Sequence, residues 1–176
     1  VDLLLDAFRY LLARHPDALL LLVGGGEDYR AVQETARQLG VFDACRFVGR
    51  VPASEVPAYY AISNVTVDPV HDDLAARGRC PLKIVESLAV GVPVVTGDVG
   101  DRREMLAGGR AGMLVAPGDA EALAGGLAAV LDDRELGQFL SRNALQQRQA
   151  FYWSELVKRV ETLYQMDTEE FEPALR

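Results

Sequence analysis

Apolar positions along the chain switch between two rhythms. Leu4, Phe8, Leu11 and Leu12 recur three and four residues apart with Pro16 just beyond them, which predicts a helix over about Asp2 to Ala13. Leu19 to Val23 is instead an unbroken apolar run closed by Gly24-Gly25-Gly26, the pattern of a strand buried on both faces and ended by a sharp turn. Asp28 stands where a side chain caps the next helix, whose stripe is Val32, Ala36 and Leu39 and whose stop is Gly40.

The same reasoning predicts strands near Arg46 to Val48 and at Val65 to Val67, Val94 to Thr96 and Met113 to Val115. Helices are expected from Ser54 to about Ile62, from about Leu82 to Val90 and near Arg102 to Leu106, with two or three closing helices after them. Strands that alternate with helices imply a parallel sheet covered on both sides. The fold class is therefore α/β, a doubly wound, Rossmann-like parallel sheet. Ligands of such sheets bind beyond the carboxyl ends of the strands. That rule singles out Gly24 to Asp28, Gly49 to Val51, and the long loop from Asp68 to Pro81.

With 176 residues the chain is the size of one domain. Its 26 acidic and 18 basic residues give a net charge of -8, which argues against nucleic acid and against anionic membrane surfaces as partners. Apolar runs such as Ala18 to Val23 are too short to span a bilayer. Cys45 and Cys80 have neither a CxxC partner nor a nearby His, so both read as free thiols in a reducing, cytoplasmic setting. No export signal opens the sequence, and a chain that starts at Val1 rather than Met is expected to be a piece of a longer protein.

The segment richest in chemistry begins at Pro81, a residue tolerated in a first helical turn. Behind it, Leu82 and Lys83 present free N–H groups at the positive end of a helix, where phosphate is favoured. Lys83 and Glu86 lie three residues apart on one face, while Leu82, Val85 and Ala89 are expected to face the sheet. A nucleoside diphosphate asks for that pair: cation and N–H donors for the pyrophosphate, a carboxylate for the ribose diol. The bland alternative is a Lys83–Glu86 salt bridge on a solvated helix, worth about 0.2 to 0.5 kcal/mol. Spacing alone leaves both open.

The run Pro81-Leu82-Lys83-Ile84-Val85-Glu86-Ser87-Leu88-Ala89-Val90-Gly91-Val92-Pro93-Val94-Val95-Thr96 resembles the sugar-nucleotide signature of the family 4 (group 1) glycosyltransferases, two-domain enzymes of the GT-B fold. Leu20-Leu21-Leu22-Val23-Gly24-Gly25-Gly26-Glu27 is similar to the family's strand and glycine turn, and Phe47-Val48-Gly49-Arg50-Val51 to its next strand. Gly112-Met113-Leu114-Val115 with Pro117-Gly118-Asp119 resembles its last strand and helix cap, and Trp153 the aromatic that opens its closing helix. The resemblance implies the C-terminal, donor-binding half of a retaining, metal-free glycosyltransferase that needs no cofactor. Glu86 would be the second acid of the E-x7-E motif and hold the ribose. Backbone near Arg50 and Val51 would meet the base, Gly24 to Gly26 and Glu27 would lie against the donor, and Lys83 with the Pro81-Leu82 helix start would stabilise the leaving diphosphate.

The sequence departs from the family pattern in two ways. Gly78 stands where the first glutamate of E-x7-E belongs, Arg79-Cys80-Pro81 replaces G-F-G, and Gly100-Asp101-Arg102-Arg103-Glu104 replaces a paired-glycine turn. Asp72 or Asp73 is the candidate substitute, although adjacent loop acids are usually solvated. By resemblance, an Arg and a Lys that stabilise the diphosphate precede the segment like Val1 to Leu12. The chain is thus expected to lack its first strand, those two cations and the N-terminal acceptor domain. It would not turn over alone, and any membrane contact would go through the missing part.

Rival chemistries are weaker. Tyr29 stands where a dinucleotide fingerprint needs Gly or Ala, and neither a P-loop nor G-x-S-x-G is present. Asp72-Asp73 is not D-x-D, and a lone loop His71 is usually solvated. A non-catalytic sugar-nucleotide module and a GT-B epimerase remain as alternatives. Leu156, Val160 and Leu163 give the closing helix an apolar stripe that is either packed on this domain or left exposed or self-paired.

Overall fold

The computed structural model describes residues 1–165. Helix α1 (Asp2–Leu12) buries Leu4, Leu5, Ala7, Phe8 and Leu11, then β1 (Leu20–Val23) leads through the glycine turn into α2 (Tyr29–Gln38). There follow β2 (Cys45–Gly49), α3 (Val56–Ala61), β3 (Thr66–Asp68), α4 (Leu74–Arg77), α5 (Leu82–Val90), β4 (Val94–Gly97), α6 (Arg102–Met105) and β5 (Met113–Val115). The closing helices are α7 (Ala120–Asp132), α8 (Arg134–Gln147) and α9 (Trp153–Gln165). Asp119 and Asp133 accept N–H bonds from the first turns of α7 and α8, fixing where those two helices begin.

Every strand pairing is parallel, as expected, but the strands form two half-sheets rather than one: β1–β2, and β3–β4–β5 with β4 in the centre. One apolar cluster holds the halves together: it contains Val95 with Leu5, Phe8 and Leu11 of α1 and Leu123 and Leu127 of α7, and Leu20, Leu22 and Phe47 of the first half and Val67 and Met113 of the second pack against it. Between β1 and β3 runs an open slot whose walls are Leu20 to Val23 and Val65 to Val67, with Leu4, Phe8 and Leu11 at its floor. This corrects the expectation that β1 is buried on both faces. Val23 is 38% exposed, because no strand among the described residues covers that edge.

Other details also differ. Asp28 occupies the N-cap of α2 without making a side-chain bond, and of the predicted stripe only Ala36 is fully buried. The loop from Asp68 to Pro81 contains α4, capped by Asp73, whose Oδ1 accepts the Ala76 N–H at 2.7 Å, while Asp72 pairs with Arg77 at 2.6 Å. Helix α5 keeps its predicted ends, with Gly91 at φ +77° as its stop, but its buried face is Ile84, Ser87 and Leu88. Leu82 is 71% exposed and Ala89 is exposed too, so the face expected toward the sheet is rotated. Ser87 can be inside because its hydroxyl donates to Val92 O and pairs with Thr66. On α9 Val160 and Leu163 of the closing stripe are exposed, as are Trp153 and Val157 beside them, while Leu156 is half-buried, so part of the stripe is exposed and part is packed. Among the described residues no helix is long and apolar enough to cross a membrane.

Candidate functional site

Strand β3 ends at Asp68, whose side chain is completely buried at the carboxyl edge of the sheet. Burying a carboxylate requires partners. Arg102, equally buried, donates from Nε to Asp68 Oδ2 at 2.8 Å and from Nη1 to Ala76 O and Val99 O, and Thr96 Oγ1 donates to Asp68 O at 2.9 Å. The pair therefore ties β3, β4, α4 and the start of α6 into one edge. Above it, Lys83 Nζ lies 3.5 Å from Asp68 Oδ1. Arg102 already neutralises Asp68, so the three groups together keep a net positive charge beside the opening turn of α5.

That turn has no side-chain cap. Pro81 sits buried at the N-cap and its side chain offers no acceptor to the first N–H groups. One turn further, Glu86 Oε2 accepts a 2.8 Å hydrogen bond from the Tyr60 hydroxyl on α3. Burial and the Glu86 carboxylate push the Tyr60 phenol above its ordinary range, so it stays a donor. Lys83 and Glu86 make no ion pair with each other; each has a different partner, which removes the bland salt-bridge reading.

Opposite, the chain leaves β1 through Gly24, at φ +135°, a backbone region open to glycine and strained for other residues. Gly24 N–H bonds Gly49 O at 2.8 Å, and Arg50 Nε donates to Gly25 O at 3.2 Å, so the ends of β1 and β2 hold each other. One crevice of about 1560 Å³ reaches from the β1–β3 slot to this edge, and Gly24, Gly25, Gly26, Glu27, Pro81, Leu82, Lys83 and Glu86 all line it. Arg50 lines a smaller adjoining concavity with Gly25, Gly26 and Glu27, while Val51 lines neither. His71, Asp72, Asp73 and Gly78 lie outside the crevice lining too. Both aspartates are engaged by α4.

Sequence reasoning missed Tyr60, Asp68 and Arg102. Tyr60 is 26 residues from Glu86, and no spacing rule joins a short helix to a later one. Asp68 closes an apolar strand and Arg102 stands in the charged run Asp101 to Glu104, so nothing in either segment marked the two as a buried pair. Among the described residues no cluster of three or more His, Cys, Asp or Glu could hold a metal ion.

The family model described as Glycosyl transferases group 1 matches residues 1–147. Over 134 residues the chain is 35% identical to a GDP-mannose-dependent alpha-(1-6)-phosphatidylinositol monomannoside mannosyltransferase of Mycolicibacterium smegmatis, covering 75% of this chain and 35% of that one. It is 30% identical over 178 residues to D-inositol 3-phosphate glycosyltransferase 2 of Catenulispora acidiphila, covering 96% of this chain and 40% of the relative. Among solved structures, sucrose-phosphate synthase from Thermosynechococcus elongatus superposes with a TM-score of 0.78 at 28% identity, over 92% of this chain and 41% of that one. HepE of Anabaena in complex with UDP-glucose matches in fold, with a TM-score of 0.78 at 24% identity over 93% of this chain and 44% of its own. The chain spans well under half of each of these proteins.

Proposed function

This chain belongs to the group 1 glycosyltransferases, and we propose that its crevice binds the nucleoside-diphosphate sugar from which a retaining, metal-independent enzyme takes its glycosyl group. One observation carries the reading: Lys83 and Glu86 stand exposed on the opening turns of α5, at the carboxyl edge of the sheet, lining the same crevice as Gly24 to Gly26. The relatives named for GDP-mannose dependence and the neighbour holding UDP-glucose support a sugar nucleotide as the ligand class.

In this reading Glu86 accepts both ribose hydroxyls, and the Arg50–Val51 backbone meets the base. The diphosphate lies against the uncapped N–H groups of α5 and the Lys83 ammonium. Breaking the sugar–phosphate bond builds negative charge on the leaving diphosphate, and fixed donors aimed there lower the barrier without reorganising. The pair Asp68–Arg102 holds Lys83 over that spot while cancelling its own charge.

We propose further that in the whole protein a parallel strand fills the slot between β1 and β3, supported by the two facing unpaired edges, and that the acceptor is bound by a second domain, supported by the greater length of the relatives. By itself the 176-residue chain binds donor without transferring it. Calorimetric titration with UDP-, GDP- and ADP-sugars tests the reading: one of the three binds saturably if it is correct, and none does if it is wrong.

A further inference from the structure

We infer that Tyr60 is a positioning residue that sets the Glu86 carboxylate for a ribose diol and thereby makes the site select ribonucleotides over 2′-deoxyribonucleotides. The inference rests on the ribose role proposed for Glu86.

Glu86 is exposed on its helix, and an exposed glutamate samples many rotamers. Here it does not stand free. The Tyr60 hydroxyl reaches across from α3, which packs on α5, and fixes Oε2 at 2.8 Å. A carboxylate offers about four lone-pair sites. Tyrosine occupies one on Oε2, which leaves Oε1 and the remaining site on Oε2 without a hydrogen-bond partner among the described residues, on a side chain that lines the crevice together with Tyr60. Two vicinal hydroxyls need two such sites, held at a fixed separation.

Tyr60 is half-buried, so its ring is held by the protein and its hydroxyl is a preset donor rather than a mobile one. As a phenol that stays protonated it remains a donor, taking one acceptor site of the carboxylate and restricting the group. A diol that meets a prearranged acceptor loses less freedom on binding than one that must order the side chain first. The benefit falls only on ligands that use the carboxylate.

Removing the 2′-hydroxyl separates this role from a merely structural one. The unmodified chain, Tyr60→Phe and Glu86→Ala are titrated calorimetrically with UDP, GDP and their 2′-deoxy counterparts. The phenylalanine keeps the ring and removes only the hydroxyl. The unmodified chain is expected to prefer a ribonucleotide, Tyr60→Phe to bind that ribonucleotide about 3- to 10-fold more weakly with 2′-deoxynucleotide affinity unchanged, and Glu86→Ala to lose the preference. If Tyr60→Phe keeps the preference while Glu86→Ala loses it, the positioning role is wrong and the ribose role stands. If Glu86→Ala keeps the preference as well, or the unmodified chain binds neither nucleotide, the ribose role fails and this inference with it. An equal loss of affinity for both sugars in Tyr60→Phe assigns Tyr60 to packing and also overturns the inference.

Discussion

The carboxylate of Asp68 and the guanidinium of Arg102 meet at 2.8 Å with neither side chain exposed, one at the end of β3 and the other opening α6. Truncating one partner strands a buried charge, which costs about 3 to 5 kcal/mol. Replacing both by apolar residues of similar size removes the desolvation penalty together with the attraction. Asp68→Ala and Arg102→Ala are each expected to lower urea-unfolding stability by about that amount, and the double variant Asp68→Leu, Arg102→Met by clearly less than the sum. Additive single losses would mean the two do not act as a pair.

Adjacent glycines in α7 give a sharper check on packing. A Cβ at Gly125 meets nothing within 4 Å, whereas one at Gly126 falls 2.8 Å from Val95 Cγ1 and 3.0 Å from Val115 Cγ1. Gly125→Ala is expected to stabilise by about 0.5 to 1 kcal/mol through helix propensity. Gly126→Ala is expected to destabilise by about 1 to 3 kcal/mol, because it forces α7 off the sheet. Thermal unfolding of the two variants decides it; the same sign for both would contradict the fit of α7 on β4 and β5.

These contacts also mark what the sequence could convey. Periodicity located α5 and β5 to the residue because an apolar run bounded by Pro81 and Gly91, or by Gly112 and Pro117, has few other solutions. It misplaced the buried face of α5 because Ser87 is polar yet inside, satisfied by Val92 O, and because Leu82 is apolar yet outside. Pattern reading assigns polar residues to water, so buried Asp68 and Arg102 were invisible to it. The split of the sheet was hidden too, since a strand's sequence records its faces and not its neighbours. At the proposed site, helix spacing showed that Lys83 and Glu86 share a face of α5, and composition showed the glycine turn; the roles given to them came from the family resemblance. Tyr60 was not, because its partner is brought to it only by the packing of α3 on α5.

The two thiols should react unequally. Cys45 is buried and burial pushes its thiol pKa up, leaving less thiolate at any given pH, while Cys80 is exposed and lines the crevice. A disulfide reagent at pH 8 is expected to modify one thiol rapidly, and Cys80→Ser to abolish that fast phase. Saturating sugar nucleotide should slow it, since Cys80 precedes the helix start at which the diphosphate is placed. Two fast thiols, or no protection by a nucleotide that binds, would contradict the placement.

The account stands on the carboxylate of Glu86, and calorimetric titration of the Glu86→Ala chain against the sugar nucleotide that the unmodified chain binds measures its contribution directly. Loss of hydrogen bonds to a charged acceptor costs about 1.5 to 3 kcal/mol, so binding should weaken about 10- to 150-fold while the fold survives with at most about 1 kcal/mol lost from the Tyr60 hydrogen bond, because the Glu86 side chain is exposed. An affinity equal to that of the unmodified chain would contradict the account.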